Sequence, residues 1–338
     1  MPQHNLPYNF LLESGQVLLG SSLYYEVLGD ISEDKEVVWI CHAFTGSATV
    51  KDWWASIFIE NGGFIDLEKH IVVCANMLGS CYGSTGPDSL NPETGTFYGD
   101  KFPFINNRDI VKSFIDLRKA LGINKINYLM GGSLGGQQAL EWSIVEPEII
   151  EKQIIVASNA RHSAWGIAFN ELQRQSIDLG KDGTNEEKQK SLALARSIAM
   201  LSYRSYYDFE MNQNGKSKDG DWKAASYLKY QGKKFNGRFS TESYKILSKM
   251  MDAHNIAETR GDNLKEVLLS IKTKTLCIGI DSDNLFPVEE QKFISENIPD
   301  ALLEIIKSPK GHDAFLIEGN LISQFIKKHL SKTLYEEI

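Results

Sequence analysis

Positive charge in excess is what this sequence most conspicuously lacks. Its 36 lysines and arginines are outnumbered by 44 aspartates and glutamates, for a formal net charge of −8. That balance withholds the field a general nucleic-acid or anionic-membrane partner would need, although a local basic patch stays compatible with an anionic co-substrate. Long apolar runs are missing too: none approaches the roughly 18 residues of a spanning helix, and residues 1–10 hold no basic segment followed by an apolar core. We therefore expect a cytoplasmic chain with neither a nucleic-acid nor a membrane partner. Cysteine is scarce, and Cys41, Cys74, Cys81 and Cys277 form no C-x-x-C pair and no zinc-ligand spacing. Reduced, mostly buried thiols follow, with Cys81 the one expected nearer the surface, and no metal site is expected.

What is present reads as a compact α/β protein. With 42% hydrophobic and 24% charged residues the chain can bury a large core. Short β-branched runs alternate with helical stretches, the rhythm of a mostly parallel sheet covered on both faces. The strands are expected at 16–27 (a hairpin split near Gly20), 36–41, 70–75, 125–130, 153–157, 275–280 and 302–306. Between 161 and about 274 this rhythm gives way to polar, aromatic, helical sequence, with helices expected at 173–177, 187–203 and 240–254 and loops at 181–190 and 212–221. Residues 161–274 are therefore expected to form a helical lid on a core made of 1–160 and 275–338.

The chemistry is concentrated where Gly131-Gly132-Ser133-Leu134-Gly135-Gly136 follows the apolar run Ile126–Met130 and precedes helix-forming residues. A G-x-S-x-G turn between strand and helix needs residues without side chains beside the serine so that the two arms can approach, and it lifts the central hydroxyl out of the turn. Ser133 is thus the expected nucleophile. A serine hydroxyl needs a base, and the base needs an orienting carboxylate. Asp281 and Asp283 both follow the strand at 275–280, and Asp283 is preferred, in part on the family pattern given below. His312 follows the last strand, and the order Ser133, Asp283, His312 is that of a serine elbow with its relay downstream. The oxyanion of an acyl-transfer intermediate needs fixed donors. These are expected from the backbone amides of Leu134 and of Phe44, in His42-Ala43-Phe44-Thr45-Gly46 after the strand at 36–41. His42 is expected to hold that loop. His4, His70, His162 and His254 are expected to be surface or packing residues.

Taken with Asn76–Pro87, Ala195-Arg196, Ser202–Ser205, Ser226–Gly232, Asp283–Pro287 and Gly311–Phe315, these segments resemble the homoserine O-acetyltransferase family, a branch of the α/β-hydrolase fold. The resemblance implies a serine that takes acetyl from acetyl-CoA, a co-substrate and not a permanently bound cofactor, and passes it to the side-chain hydroxyl of L-homoserine in methionine synthesis. It implies Arg196, Tyr203 and Asp313 as contacts to the amino acid, and a guanidinium for a carboxylate and a carboxylate for an ammonium make chemical sense. It also implies a homodimer joined through the lid, where Tyr203, Tyr206, Tyr207, Trp222, Tyr227 and Tyr230 are available for an interface. Succinyl-CoA as donor, serine as acceptor, a plain esterase using water, and a non-enzymatic binding or scaffold protein of the same fold, against which an intact triad argues, are the rival readings. Two positions depart from the family pattern: Phe44 stands where leucine is frequent, and Ser80 where glycine is.

Overall fold

The computed structural model describes residues 2–330, so the end of the predicted core segment, 331–338, and Met1 lie outside the described residues. The strands are β1 (Gln3–Asn5), β2 (Asn9–Leu11), β3 (Val17–Leu19), β4 (Ser22–Leu28), β5 (Glu36–Cys41), β6 (His70–Ala75), β7 (Ile126–Gly132), β8 (Ile150–Val156), β9 (Lys274–Ile280) and β10 (Leu302–Ile306). Eight of them form one sheet in the order β1-β4-β6-β5-β7-β8-β9-β10. It is parallel from β6 through β10, while β4 and β1 run antiparallel at one edge. β6 is buried along its whole length, and β5 and β7 nearly so. That burial explains why they read as continuous apolar runs and not as alternating ones.

Helices supply both faces. α1 (Val50–Trp53) and α2 (Asn107–Ala120) precede β7, and α3 (Leu134–Val145) connects β7 to β8. After β8 come α4 (Ala164–Asp178), α5 (Asn185–Tyr203), α6 (Tyr206–Gln213), α7 (Lys223–Phe235) and α8 (Thr241–Asp252). α9 (Leu264–Leu269) leads into β9, α10 (Val288–Asn297) joins β9 to β10, and α11 (Ala314–Ile317) and α12 (Gly319–His329) follow. On one face of the sheet Trp39, Phe114 and Trp142 interlock, with the two indoles 4.9 Å apart edge to face. On the other face Trp54 meets Phe315 edge to face, and its indole N–H donates to the Phe315 carbonyl at 2.8 Å. That bond ties the sheet's underside to the segment carrying His312. No helix among the described residues is long and apolar enough to cross a membrane.

Three local expectations change. The strand at 16–27 is not a hairpin folded at Gly20: β3 pairs antiparallel with β2 in a separate two-stranded sheet, and β4 pairs with β1 and β6. The tight turn lies earlier, where Gly15 takes a φ of 81° and Leu12 N–H reaches the Gln16 carbonyl. Gly20, at φ 56°, marks the switch between sheets. Residues 181–190 are loop only as far as Thr184. That residue caps α5, its hydroxyl accepting from Glu187 N–H while the Glu187 side chain bonds Thr184 N–H. The helix expected at 173–177 extends back to Ala164 behind a Ser163 cap.

The helices α4 to α8 leave and rejoin the sheet through neighbouring segments. Arg161 and Asn255 form an antiparallel bridge, His162 N–H donates to the His254 carbonyl at 2.9 Å, and Ile256 N–H donates to the Ala160 carbonyl at 3.1 Å. Both histidines are buried in the join. His254 bonds the Asn159 carbonyl and the Asn107 amide, and burial pushes its imidazole down to about 3 and that of His162 to about 4. They act as neutral hydrogen-bonding groups.

Candidate active site

Ser133 caps α3 directly at the end of β7, with φ 56° and ψ −126°. A side-chain-bearing residue rarely adopts that conformation, and holding it costs on the order of 1–3 kcal/mol. The glycines around it are required by contact. A Cβ on Gly131 would lie 2.1 Å from the Gly135 carbonyl oxygen, and one on Gly135 would lie 2.1 Å from that of Cys41. Gly136 faces Ser158, whose hydroxyl donates to the Ser133 carbonyl at 2.7 Å and braces the turn. Gly132 faces the ring of Phe315, 2.6 Å from where its Cβ would be.

That ring also marks where His312 stands. The imidazole of His312 lies 5.3 Å from Phe315, is stacked on Phe286 at 5.0 Å, and is buried. Its Nδ1 meets Asp283 Oδ2 at 2.6 Å, so Nε2 is the nitrogen left for other partners. Asp283 is itself fixed, because Oδ1 accepts the backbone N–H groups of Leu285 at 2.8 Å and Phe286 at 2.9 Å. It therefore serves the local turn and the histidine at once. Asp281 has a different duty: it accepts Ser308 N–H at 3.0 Å and links the loops after β9 and β10.

The loop after β5 is held by His42, whose Nε2 accepts Met77 N–H at 3.1 Å while Nδ1 bonds the Ala43 carbonyl. Burial pushes His42 down to about 4, so the ring stays neutral and can accept. Among the described residues neither Phe44 N–H nor Leu134 N–H has a hydrogen-bond partner. Phe44's ring is buried edge-on against Tyr244 at 4.7 Å. In the neighbouring 76–87 loop the left-handed backbone falls on Gly79 (φ 82°) and Gly83 (φ 100°) and not on Ser80, so the serine there is tolerated.

The three remaining predicted residues cluster above this floor. Tyr203, at the end of α5, lies 5.9 Å from the His312 ring. Arg196, two turns earlier on α5, has its guanidinium 5.4 Å from the Tyr203 ring and 4.9 Å from Phe235. Its Nη1 is buried without a hydrogen-bond partner, and among the described residues no carboxylate lies within ion-pair distance of it. Burial raises the carboxyl of Asp313 above its ordinary value, and Arg204 is the chief opposing influence, with Arg204 Nη2 3.1 Å from Asp313 Oδ2.

Sequence reasoning passed over two groups here. Arg204 lay inside a recognised segment, but no spacing rule joins it to an acid more than a hundred residues away. Glu290, in the first turn of α10, lies close enough to Asp283 and His312 to feel both charges; burial lifts it to about 7, and its Oε2 is buried without a partner. The only sequence signal was an acid shortly after Asp283-Asn284-Leu285-Phe286-Pro287.

Comparison with known proteins gives the chain's family and fold. Residues 36–318 match the alpha/beta hydrolase fold family. The homoserine O-acetyltransferase of Cyclobacterium marinum is 45% identical, covering 94% of this chain and 91% of that protein. That of Trichormus variabilis is 41% identical over 96% and 92%. Among solved structures, a homoserine O-acetyltransferase from Staphylococcus aureus superposes with a TM-score of 0.81 at 31% identity, covering 98% of this chain and 96% of that one. Esterase E22, with a TM-score of 0.85 at 23% identity, shares the fold. By full-length similarity at this level, the chain belongs to the homoserine O-acetyltransferase family of α/β-hydrolase-fold proteins.

Proposed function

We propose that the protein is a homoserine O-acetyltransferase working through an acetyl-serine intermediate. In the first half-reaction His312 Nε2 takes the Ser133 proton, the serine oxygen attacks the acetyl-CoA carbonyl, and the oxyanion accepts hydrogen bonds from Phe44 and Leu134 N–H. The C–S bond then breaks, and the CoA sulfur leaves with the proton from His312. In the second half the homoserine hydroxyl gives its proton to His312 and attacks the acetyl carbon. Collapse releases O-acetylhomoserine and returns the proton to Ser133. Asp283 keeps Nδ1 protonated and the ring aimed throughout.

The observation that carries the choice of an amino acid over water as acceptor is Arg196: a guanidinium with a buried, unpartnered Nη1, beside the tyrosine ring that faces His312. Leaving such a donor unpaired is costly, and a substrate carboxylate would satisfy it. Asp313 would receive the ammonium. In this reading α4 to α8 form the lid that keeps water from the acyl-enzyme. Exposed Tyr206, Tyr207, Trp222 and Tyr230 support a homodimer joined through the lid, whereas Tyr203, turned toward His312, and the half-buried Tyr227 do not belong to that surface.

The test crosses acetyl-CoA and succinyl-CoA with homoserine, serine and water, following thiol release and product. Release requiring acetyl-CoA and homoserine, with parallel initial-rate lines, is the expected result. Equal release with water alone would make the protein an esterase. Sedimentation as a monomer at micromolar concentration would remove the dimer.

A further inference from the structure

The end of α5 presses directly on the loop carrying His312. A Cβ on Gly311, whose φ is 67°, would fall 2.6 Å from Ser205 N and 2.8 Å from the Tyr203 carbonyl oxygen. Beside it the Ser205 hydroxyl donates to the Pro309 carbonyl. Four charges run across this junction. Arg204 Nη2 meets Asp313 Oδ2 at 3.1 Å, Arg204 Nη1 meets Asp208 Oδ2 at 3.4 Å, and Lys310 Nζ meets Asp208 Oδ1 at 2.8 Å. Asp208 is nearly enclosed, and Arg204 and Asp313 are mostly covered. Asp313 Oδ1 has no hydrogen-bond partner among the described residues, so the pair with Arg204 occupies one oxygen and leaves the other free.

We propose that Arg204 is a positioning residue for the acceptor half of the reaction: paired with Asp313 and anchored through Asp208 to Lys310, it fixes the carboxylate that receives the acceptor's amino group. This rests on the acyltransferase reading above and adds to it a residue that touches neither substrate nor His312. A carboxylate gripped by a guanidinium at one oxygen is held in one rotamer and presents the other oxygen in a fixed direction.

The same contact bears on ionisation. Asp313 faces Arg204, Arg196 and His312, which favour its anion, and Asp283, which opposes it; the phenols of Tyr203 and Tyr227 stand against the same group. Arg204 comes first among the favourable partners, against a burial that favours the neutral acid. Without Arg204 the carboxyl stays neutral to higher pH and loses its hold on an ammonium.

The two half-reactions separate this role from a structural one. With acetyl-CoA alone, Arg204→Gln is expected to form acyl-enzyme within about twofold of the parent rate. Its kcat/KM for homoserine is expected to fall by about tenfold or more, mainly through KM, for a lost charge-assisted contact. The acid limb of that profile should move to higher pH, and Arg204→Lys should recover part of the loss. Asp208→Asn, which loosens the anchor while keeping Arg204, should give a smaller change in the same direction and serves if Arg204→Gln folds poorly. Equal slowing of both half-reactions, or an unchanged KM for homoserine in these variants, overturns the proposal while leaving the acyltransferase reading intact. A parent protein that forms neither acyl-enzyme nor O-acetylhomoserine overturns both.

Discussion

Replacing Glu290 by glutamine should stabilise the protein, and by an amount that depends on pH. The carboxyl is mostly buried, lies near the Asp283 anion, and ionises only at about 7 in the folded chain against an ordinary 4.5. In the unfolded chain it loses its proton near the ordinary value, so from pH 4.5 to 7 the unfolded state sheds a proton that the folded state retains. Each unit of that difference is 1.36 kcal/mol, so the parent loses up to about 3 kcal/mol across the window, largely by desolvation of the anion. Glutamine has the same shape and no proton to lose. The stability difference between Glu290→Gln and the parent should therefore be constant below pH 4.5, grow in favour of the variant to about pH 7, and level off above it. Reversible urea unfolding at pH 4.5, 6, 7 and 8 measures this directly. Two parallel stability profiles across that range would show that the anion suffers no burial penalty, and the placement of Glu290 beside Asp283 would have to be abandoned.

Other perturbations probe the elbow and the pocket. Ser133→Gly should relieve the positive φ and raise stability by about 1 kcal/mol in thermal or urea unfolding while abolishing acyl transfer; Ser133→Ala should abolish transfer without that gain. Gly132→Ala sets a methyl against the Phe315 ring, which in turn backs His312, so kcat should fall by roughly tenfold or more with a small shift in Tm. A loss confined to stability would argue against that coupling. Arg196→Lys keeps the charge but not the fork, and should raise KM for homoserine while leaving acyl-enzyme formation from acetyl-CoA unchanged. Trp142→Ala empties a fully buried site between Trp39 and Phe114 and should cost about 3–5 kcal/mol in unfolding free energy.

The central parallel strands were legible because burial on both faces leaves an unbroken apolar signature: 36–41 and 70–75 reappear with the same bounds as β5 and β6, while the edge strand β10, half-exposed, reappears at 302–306 on its β-branched residues. The elbow was legible because four glycines in six residues, set between a strand pattern and a helix pattern, fit little but a tightly closed turn. What escaped depended on partners distant in sequence. β1 and β2 are three residues each and exist through pairing with β4 and β3, which no local pattern announces. Gly20 looks like a hairpin turn until one knows that its two flanks join different sheets. The start of α5 was readable, since Thr184-Asn185-Glu186-Glu187 is a capping box, but the polar glycine-containing stretch before it masked the signal. Arg204 and Glu290 matter through charges that meet them only after folding, and a sequence shows composition long before it shows juxtaposition.

The bridge between Arg161 and Asn255 has an architectural consequence. Because the excursion departs and comes home through adjacent, mutually bonded segments, the sheet sees it as a short closed corner, and the entropy of anchoring so long a loop grows only slowly with its length. A different canopy of comparable footprint could be spliced between those same two points, provided it again braces the His312 loop and Phe44 as α5 and α8 do here. Such grafting offers a route by which one hydrolytic or transferring chassis could exchange its clientele without rebuilding its engine.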